Sequence, residues 1–425
     1  MAHEQGMKMS TSRARTVTGA AGITLLMTAL AACGATPTGN AQTSNSQAPS
    51  TSTTGTNQPS TSPSSPPAPE PVKFTTNVKD KATGVKVDTL VKVKASAGTV
   101  TSVKLAYTGT DPKGKKQKGS VRGKITGKGT TWTAGGRLEP GSAYTLTMKG
   151  RNAAKTATVA KTTFKTQKLS LQQQTFPTAY PLKGMKVGVG MPAVVSFDVP
   201  IKDKAAIEKN LHVTSKPAQA GSWRWFSDTE VRYRPKNYWK PGTKVTVNAD
   251  VNGANAGGGI YGQNSTKTSF TVGRSMIIKV NLSTDRAKVY QSGKLVRTIR
   301  VTGGKPGWAT RSGTKLIMGK EYNKKMTNEM IGAKDKYSLV ARYAMRITNS
   351  GEFLHSAPWS AANHGVRNGS HGCTGMSIGD SGWLYSRTLV GDPVVTTGSN
   401  RQMELGNGYG DWNVSYKQYQ KNSAL

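Results

Sequence analysis

The sequence predicts a mainly β protein in which two β-sandwich domains precede a third, β-rich domain. Short runs of alternating polar and apolar residues, such as VKVDTLVKVKA (85–95) and TVTSVKLAYTG (99–109), lie between Gly, Asn and Asp residues at close spacing, which is typical of half-buried antiparallel strands. A repeat supports this interpretation, because Leu138-Glu-Pro-Gly-Ser matches Trp239-Lys-Pro-Gly-Thr at an offset of 101 residues. A period near 100 residues is the size of one immunoglobulin-like sandwich, so we place two such domains at 73–168 and 169–273.

Length and composition exclude two classes of protein. The chain has 425 residues with 59 Lys and Arg against 21 Asp and Glu, a net charge of +38, and this length predicts more than one domain. Only one apolar stretch approaches the length of a membrane span, and it lies at the extreme N-terminus, which excludes a polytopic membrane protein. The two cysteines, Cys33 and Cys373, are too few for a disulfide scaffold.

The first segment, residues 1–32, has the features of a secretory signal. A basic start is followed by the apolar run ITLLMTALAA (23–32), and small residues precede Cys33. Leu-Ala-Ala-Cys (30–33) resembles the lipobox of bacterial lipoproteins, which implies lipidation of Cys33 and an anchor of two acyl chains on the outer face of the cell membrane. An ordinary cleaved signal with an incidental cysteine is the alternative.

Residues 33–72 predict a disordered tether. They consist almost entirely of Pro, Ser, Thr, Gly, Asn, Gln and Ala, with Glu70 as the only charge, and cannot bury enough apolar surface to fold. Beyond the tether, residues 73–168 hold 21 basic and 4 acidic side chains, densest in KGKKQKGSVRGKITGK (113–128). For an exported protein this charge favours anionic wall polymers or lipid headgroups as partners rather than nucleic acid, and a solvated basic loop is the alternative.

One motif in the second domain resembles a nucleotide-binding loop but lacks the helix that follows such a loop. Val187-Gly-Val-Gly190 is followed by Met-Pro and the strand pattern AVVSFDVP (193–200) rather than by a helix. Without a helix N-terminus nothing at this place would bind a pyrophosphate, so we reject a dinucleotide site.

The last third of the chain concentrates the groups that carry chemistry. After the strand patterns MIIKVNLS, RAKVYQ and KLVRTIRVTGG (276–304), three of the five histidines, His355, His364 and His371, lie within 17 residues and beside Cys373. A thiol with an ordinary pKa near 8.5 needs an imidazole to take its proton before it can act as a nucleophile. Spacing alone favours His371, since residues two apart share a strand face. Gly372 would leave backbone N–H groups free for an oxyanion.

Two other readings of Cys373 fit the sequence less well. A structural zinc site usually takes four ligands with paired cysteines, and only one cysteine is present here, so no metal is expected. A buried, inert thiol is the default for a lone cysteine, but it does not explain the flanking His and Gly residues.

The segment resembles the signature of the L,D-transpeptidases, the YkuD-like family. That signature is a His, a short gap and then Ser/Thr-His-Gly-Cys-x-Asn, and here His355 precedes Ser370-His-Gly-Cys373 with a gap of 14 residues (356–369). HSAPWS (355–360), GDPVV (391–395), GDWN (410–413), GSWRWFSDTEV (221–231) and YWKPGT (238–243) look like the actinobacterial members, which carry immunoglobulin-like domains before the catalytic domain. The departure is Gly375, where the family usually has Asn.

The resemblance implies a role for each residue of the site. Cys373 would be the nucleophile and His355 its base, with Ser356 orienting the imidazole and His371 lining the site. Tyr337 would lie near an oxyanion hole completed by the backbone N–H groups of Gly372 and Cys373. The substrate pocket would include Met326, Trp359, Ser370 and Gly375, although plain packing explains Met326 and Trp359 equally well. His364 would be an exposed residue of a lid.

The resemblance also implies the reaction. A catalytic domain at 274–399, with residues 400–425 packing on it as a tail, would transfer an acyl group from a peptidoglycan tetrapeptide to Cys373 and then to an amine of a second stem peptide, forming a 3→3 cross-link without a cofactor. Acylation of the same thiol by carbapenems is implied as well. Two alternatives remain: an L,D-carboxypeptidase with water as the acceptor, and a catalytically weak wall-binding lipoprotein marked by Gly375.

Overall fold

The computed structural model describes residues 69–110 and 114–425. The predicted signal segment, Cys33 and most of the predicted tether lie outside these ranges, so those predictions stay predictions. No helix within the described ranges is both long and apolar enough to cross a membrane. Strands dominate the described chain, which confirms the mainly β class.

The first sandwich packs two sheets around one core. Its strands are β1 (Lys73–Thr76), β2 (Ala82–Val85), β3 (Lys92–Ser96), β4 (Thr99–Thr110), β5 (Lys116–Val121), β6 (Gly123–Thr126), β7 (Thr131–Ala134), β8 (Ala143–Arg151) and β9 (Ala157–Thr166), with a 3-10 turn at Gly127–Gly129. The strand orders are β1-β3-β7-β6 and β2-β9-β8-β4-β5. Alternate residues of β8 turn inward, so Tyr144, Leu146 and Met148 join Trp132 and Phe164 in the core.

The second sandwich has its own core and three sheets. Its elements are a 3-10 turn (Leu171–Gln173), β10 (Gln174–Thr175), β11 (Pro177–Tyr180), β12 (Lys186–Val187), β13 (Ala193–Phe197), α1 (Lys204–Glu208), β14 (Leu211–Lys216), β15 (Gly221–Trp225), β16 (Glu230–Pro235), β17 (Lys244–Ala249), β18 (Asn255–Gly257), β19 (Ile260–Gly262) and β20 (Thr266–Val272). The strand orders are β11-β13-β16-β15, β12-β20-β17-β14 and β10-β19-β18. Trp223, Trp225 and Trp239 pack in the core.

The internal repeat corresponds to one turn used twice. Gly141 and Gly242 both have positive φ, +60° and +79°, and they precede β8 and β17 respectively. A positive φ is a conformation that glycine adopts at little cost, which explains why both copies keep Pro-Gly before the strand.

The third domain is built on one nine-stranded sheet. Its strands are β21 (Met276–Asn281), β22 (Arg286–Gln291), β23 (Lys294–Thr302), β24 (Gly313–Leu316), β25 (Gly319–Thr327), β26 (Ser338–Arg346), β27 (Phe353–Ser356), β28 (Thr374–Met376) and β29 (Pro393–Thr397), in the order β24-β29-β21-β22-β23-β28-β27-β26-β25. The helices are α2 (Ile378–Arg387) and α3 (Tyr416–Gln420), with 3-10 turns at Asn328–Ile331, Pro358–Asn363 and Asp411–Asn413. β21 to β23 are the three strands that the sequence pattern predicts.

The C-terminal tail contacts two domains. Toward the catalytic domain, on which it is predicted to pack, Asn413 bonds to Thr314 of β24. Toward the second sandwich, the Trp412 indole donates to the Gly190 carbonyl at 2.8 Å, and the Asn422 carbonyl accepts from the Trp225 amide at 3.0 Å. The tail therefore joins the two domains.

The rejected Val-Gly-Val-Gly motif forms part of the same junction. The amides of Gly188 and Gly190 donate to the carbonyls of Val390 and Gly391. A Cβ on Gly188 would lie 2.2 Å from the backbone nitrogen of Asp392, so no larger residue fits unless the two domains separate. The glycines thus serve a close approach between two backbones.

Candidate active site

A cavity of about 380 Å³ in the third domain contains most of the residues that the sequence singles out. Of the predicted site residues, it is lined by Met326, Tyr337, His355, Trp359, Ser370, His371, Cys373 and Gly375. Ser356 and Gly372 do not line it, since Ser356 is buried at the end of β27 and Gly372 lies within the turn before Cys373. The cavity is therefore the candidate active site.

Strand register explains why His355 and Cys373 meet. β27 and β28 are parallel neighbours in which Leu354 lies opposite Thr374 and His355 opposite Gly375. Because side chains alternate between the two faces of a sheet, His355 and Gly375 share one face. Cys373 directly precedes β28 and lines the same cavity as His355. The pairing of β27 with β28 thus brings together two residues that the sequence separates.

Cys373 is partly buried and lines the cavity. The thiol donates to the Gly351 carbonyl, with the sulfur 3.6 Å from the oxygen, and no hydrogen bond joins it to an imidazole of the described residues. Burial raises the pKa of Cys373 to about 12, and the nearby charge of Glu352 acts in the same direction. In this state Cys373 is a protonated thiol rather than a thiolate.

His355 is buried, and the orientation of its ring fixes its tautomer. Nδ1 lies 2.7 Å from the backbone carbonyl oxygen of Ser356. A carbonyl can only accept, so Nδ1 carries the hydrogen and Nε2 keeps a free lone pair. Burial also lowers the pKa of His355, which keeps the ring neutral at neutral pH. Ser356 thus orients the His355 imidazole through its backbone carbonyl rather than through its hydroxyl.

The segment from Ser370 to Cys373 is a tight turn, not a strand. The Ser370 hydroxyl donates to the Cys373 carbonyl at 2.6 Å and accepts from the Gly372 amide at 3.1 Å. The expectation that the Gly372 N–H faces an oxyanion is therefore wrong in this state, because the Ser370 hydroxyl occupies it. Gly372 has a φ of +112°, a conformation that favours glycine over residues with a side chain.

His371 also lines the cavity but belongs to a different network of contacts from His355. Its ring stacks on Tyr337 at 5.2 Å and meets Trp308 edge-on at 5.3 Å. Its Nε2 lies 3.0 Å from a carboxylate oxygen of Asp335, which also pairs with Lys305. Because the chain is not extended at residues 370–372, the argument that His371 and Cys373 share a strand face does not apply.

A hairpin covers the cavity. It consists of β25, β26 and the connection 328–337, and we call it the lid. Met326 and Tyr337 line the cavity from the lid, and Trp359 stacks on His355 from the other side with ring centres 5.8 Å apart. Half of the Trp359 surface is exposed, so its indole is available to a ligand.

Gly375 and His364 both lie close to His355. A Cβ on Gly375 would lie 2.8 Å from the Cβ of Ala357 and 3.1 Å from Cγ2 of Thr302, so the strand has no room for a side chain there. His364 is buried rather than an exposed lid residue, and its Nε2 has no hydrogen-bond partner among the described residues. Burial lowers the pKa of this imidazole.

A buried cluster of charges that the sequence did not reveal lies near Cys373. Lys315 is fully buried, and its ammonium contacts Glu352 at 3.0 Å, while Arg311 contacts the other oxygen of Glu352 at 2.9 Å. Burial lowers the pKa of Lys315. These residues come from separate loops and strands, so no local spacing in the sequence could have predicted the cluster. Across the described ranges, no group of three or more His, Cys, Asp or Glu side chains is arranged to hold a metal ion.

Comparison with known proteins decides the family. The L,D-transpeptidase catalytic domain matches residues 275–396, and a bacterial Ig domain matches residues 82–255. L,D-transpeptidase 2 of Mycobacterium tuberculosis is 32% identical over 359 residues, which cover 83% of this chain and 85% of that protein. This chain belongs to the L,D-transpeptidase family. It is accordingly an enzyme, and the family cross-links the stem peptides of cell-wall peptidoglycan.

Further L,D-transpeptidases match parts of the chain. L,D-transpeptidase 1 of Mycobacterium tuberculosis is 33% identical over 222 residues, 51% of this chain and 83% of that protein. A solved structure of an LD transpeptidase in complex with imipenem is 32% identical and covers 52% of this chain and 97% of its own, with a TM-score of 0.46.

Proposed function

We propose that Cys373 and His355 carry out a two-step acyl transfer that makes 3→3 peptidoglycan cross-links. The observation that supports this assignment most directly is the register of β27 and β28, which places an imidazole with a free Nε2 and a lone thiol in one cavity. The family supplies the reaction class, and the geometry supplies the residues.

In the first step the sulfur of Cys373 attacks the carbonyl carbon of the third residue of a tetrapeptide stem. The thiol proton passes to Nε2 of His355 as the C–S bond forms, and the resulting imidazolium returns the proton to the nitrogen of the fourth residue, D-Ala, which leaves. A thioester remains on Cys373. Because both groups are neutral in the free enzyme, the proton moves when the donor binds rather than before.

The oxyanion of the tetrahedral intermediate needs hydrogen-bond donors that are not already bonded within the turn of residues 370–373. The Cys373 amide and the Tyr337 hydroxyl are the candidates, since the Gly372 amide is bonded to Ser370. Burial raises the pKa of Tyr337, which keeps its hydroxyl protonated and able to donate. His371 would hold Tyr337 in place by stacking and would not act as the base.

In the second step an amine from a neighbouring stem attacks the thioester carbonyl. The C–N bond forms as the C–S bond breaks, and the proton that the amine loses passes through His355 to the sulfur, which regenerates the thiol. The lid over the cavity would exclude water during this interval, and water in place of the amine would make the enzyme a carboxypeptidase.

The assignment is tested with purified muropeptides and two variants. Cys373→Ala should yield no dimer and no carbapenem adduct by intact mass, while His355→Gln should keep the thiol but slow acylation by about 100-fold or more. Persistent 3→3 dimers from the Cys373→Ala enzyme would overturn the nucleophile assignment. Tripeptide without dimer from the wild-type enzyme would instead identify a carboxypeptidase.

We also propose that the protein is anchored to the outer face of the cell membrane through Cys33, with residues 1–32 removed and 33–72 as the tether. The support is the sequence pattern at the N-terminus together with a family that acts on the cell wall. A Cys33→Ala form should leave the membrane fraction, and unchanged partitioning would contradict the anchor.

The first sandwich offers a surface for the proposed anionic wall polymers. On the outer face of its five-stranded sheet, Lys104 and Lys161 lie either side of Thr147, and Lys118 and Lys165 belong to the same face, all of them exposed. Replacing these four lysines by Glu should reduce binding to wall fragments that retain phosphate-bearing polymers, with no change for stripped fragments. Equal binding by both forms would count against this partner.

A further inference from the structure

Among the described residues that line the active-site cavity, one fixed cation has no acidic partner. Three side chains along its wall carry full charges: Asp335, Lys336 and Arg346. Asp335 already pairs with Lys305 and bonds to His371. Arg346 makes no ion pair with any described carboxylate, so its charge is available to a ligand.

The guanidinium of Arg346 is held in place by its surroundings. Arg346 ends β26 and is paired with Gly319 on one side and Phe353 on the other. One terminal nitrogen donates to the carbonyls of Thr348 and Asn349 at 3.1 and 3.3 Å, and the group lies 4.5 Å above the Phe353 ring. Nε and the second terminal nitrogen have no hydrogen-bond partner among the described residues. A planar cation that is already oriented loses little entropy when it binds a carboxylate.

The position of Arg346 relates it to the reacting sulfur. The turn that accepts its hydrogen bonds continues through Ser350 to Gly351, whose carbonyl accepts from the Cys373 thiol at 3.6 Å. Asn349, Ser350 and Gly351 line the same cavity. The charge of Arg346 also acts on the thiol, in the direction that lowers the pKa of Cys373. Lys336 differs, because it is exposed on the connection between β25 and β26 and its ammonium lies at the end of a flexible side chain.

We propose that Arg346 binds the terminal carboxylate of the donor stem, the carboxylate of the residue that leaves. The proposal rests on the acyl transfer proposed above. When the scissile carbonyl lies at the sulfur, the leaving residue extends past it and ends in a free carboxylate after a single residue. A stem that is longer by one residue places its carboxylate about 3.5 Å farther along. Arg346 thereby selects tetrapeptide donors over pentapeptide donors.

The test is a two-by-two comparison of enzyme and donor. Wild type and Arg346→Gln are each given a tetrapeptide donor with a free C-terminal acid or with a C-terminal amide, and acylation of Cys373 is followed by intact mass. Wild type should prefer the acid by about 10- to 100-fold, the range for a hydrogen bond to a charged group. Arg346→Gln should lose that preference and accept the amide as wild type does, and Arg346→Lys should lie between them.

Arg342 provides the matched control. It lies on the same strand and is exposed, and it does not line the cavity. Arg342→Gln should keep the wild-type preference for the acid and for the tetrapeptide over the pentapeptide. Alkylation of Cys373 by iodoacetamide and the melting temperature show whether each variant retains its fold.

The outcomes separate this proposal from the one it rests on. If wild type acylates from the amide as fast as from the acid, or if Arg346→Gln retains the preference, the carboxylate contact is overturned even though Cys373 remains the nucleophile. The first comparison needs no variant, so instability of Arg346→Gln cannot leave the proposal undecided. If Cys373→Ala still forms dimers, the acyl transfer itself fails.

Discussion

At the scale of single residues, the two reacting side chains are arranged as a neutral pair. Burial raises the pKa of Cys373 to about 12 and lowers the pKa of His355, so each is shifted toward its uncharged form. A thiolate in this cavity would react with any electrophile that entered it. A thiol that loses its proton only when a correctly placed carbonyl and Nε2 are both present restricts the chemistry to bound donors.

This arrangement predicts the pH dependence of thiol labelling. Because the raised pKa delays ionisation, alkylation of Cys373 by iodoacetamide in the Cys33→Ala background should keep rising up to pH 10. An ordinary small thiol should level off above its pKa near 8.5 under the same conditions. The rate constant is measured by intact mass at each pH. A plateau below pH 8 would show a thiolate in the resting enzyme.

Gly375 yields a second prediction at this scale. Because Ala357 stands 2.8 Å from the position of a new Cβ, Gly375→Ala should destabilise the protein by about 1 to 3 kcal/mol through overpacking. Gly375→Asn, which restores the usual family residue, should be worse rather than better. Adding Ala357→Gly should recover most of the loss in Gly375→Ala, as measured by denaturant unfolding. A loss that the second substitution leaves unchanged would contradict the packing argument.

At the scale of elements, the lid is tied to the body of the domain through one carboxylate. Asp335 belongs to the connection between β25 and β26, whereas Lys305 and His371 come from the loop after β23 and the turn before β28. Hydrogen bonds from Lys305 and His371 hold the pKa of Asp335 at about 2. With its folded pKa below the unfolded value, the contact stabilises the closed lid above about pH 4 and is lost only as the pH falls toward 2.

Asp335→Ala should therefore loosen the lid at neutral pH. Amide hydrogen exchange in residues 328–337 should become faster. KM for the donor should also rise, because without Asp335 the His371 ring on which Tyr337 stacks is no longer held in place. Glu329→Gln is the control, since Glu329 lies on the same connection and makes no ion pair to the body of the domain among the described residues. Equal exchange in the two variants would mean that the carboxylate does not hold the lid.

Some secondary-structure elements could be predicted from the sequence, whereas some contacts between them could not. Alternation predicted β21 to β23, and the repeat that indicated two sandwiches corresponds to the turns at Gly141 and Gly242, because both signals depend on neighbours along the chain. The spacing argument for His371 failed, since it assumed a strand where Ser370 folds the chain into a turn. The ion pairs of Lys315 and Asp335 could not be predicted from the sequence, because their partners are distant in sequence and only the folded sheet brings them together.

At the scale of the whole molecule, the second sandwich and the third domain share a junction built from the tail. Arg232 of β16 is buried and pairs with Asp411 at 3.0 Å, and the Tyr419 hydroxyl donates to Asp411 at 2.9 Å. Arg234 lies between the rings of Trp412 and Tyr419. The catalytic sheet is thereby fixed to its neighbouring sandwich by contacts from a segment that follows the catalytic residues in the chain.

Removing Asp411 should weaken this junction strongly. Asp411→Ala leaves the buried Arg232 with Glu230 as its only acidic contact and deprives Tyr419 of an acceptor, and the loss of one partner of a buried pair costs about 3 to 5 kcal/mol. Glu321→Ala breaks an exposed pair with Lys324 and should cost less than about 1 kcal/mol. Denaturant unfolding of both variants gives the comparison, with Cys373 alkylation as a check on the site. A loss for Asp411→Ala no greater than that for Glu321→Ala would mean that the buried pair between the tail and the second sandwich does not stabilise this junction.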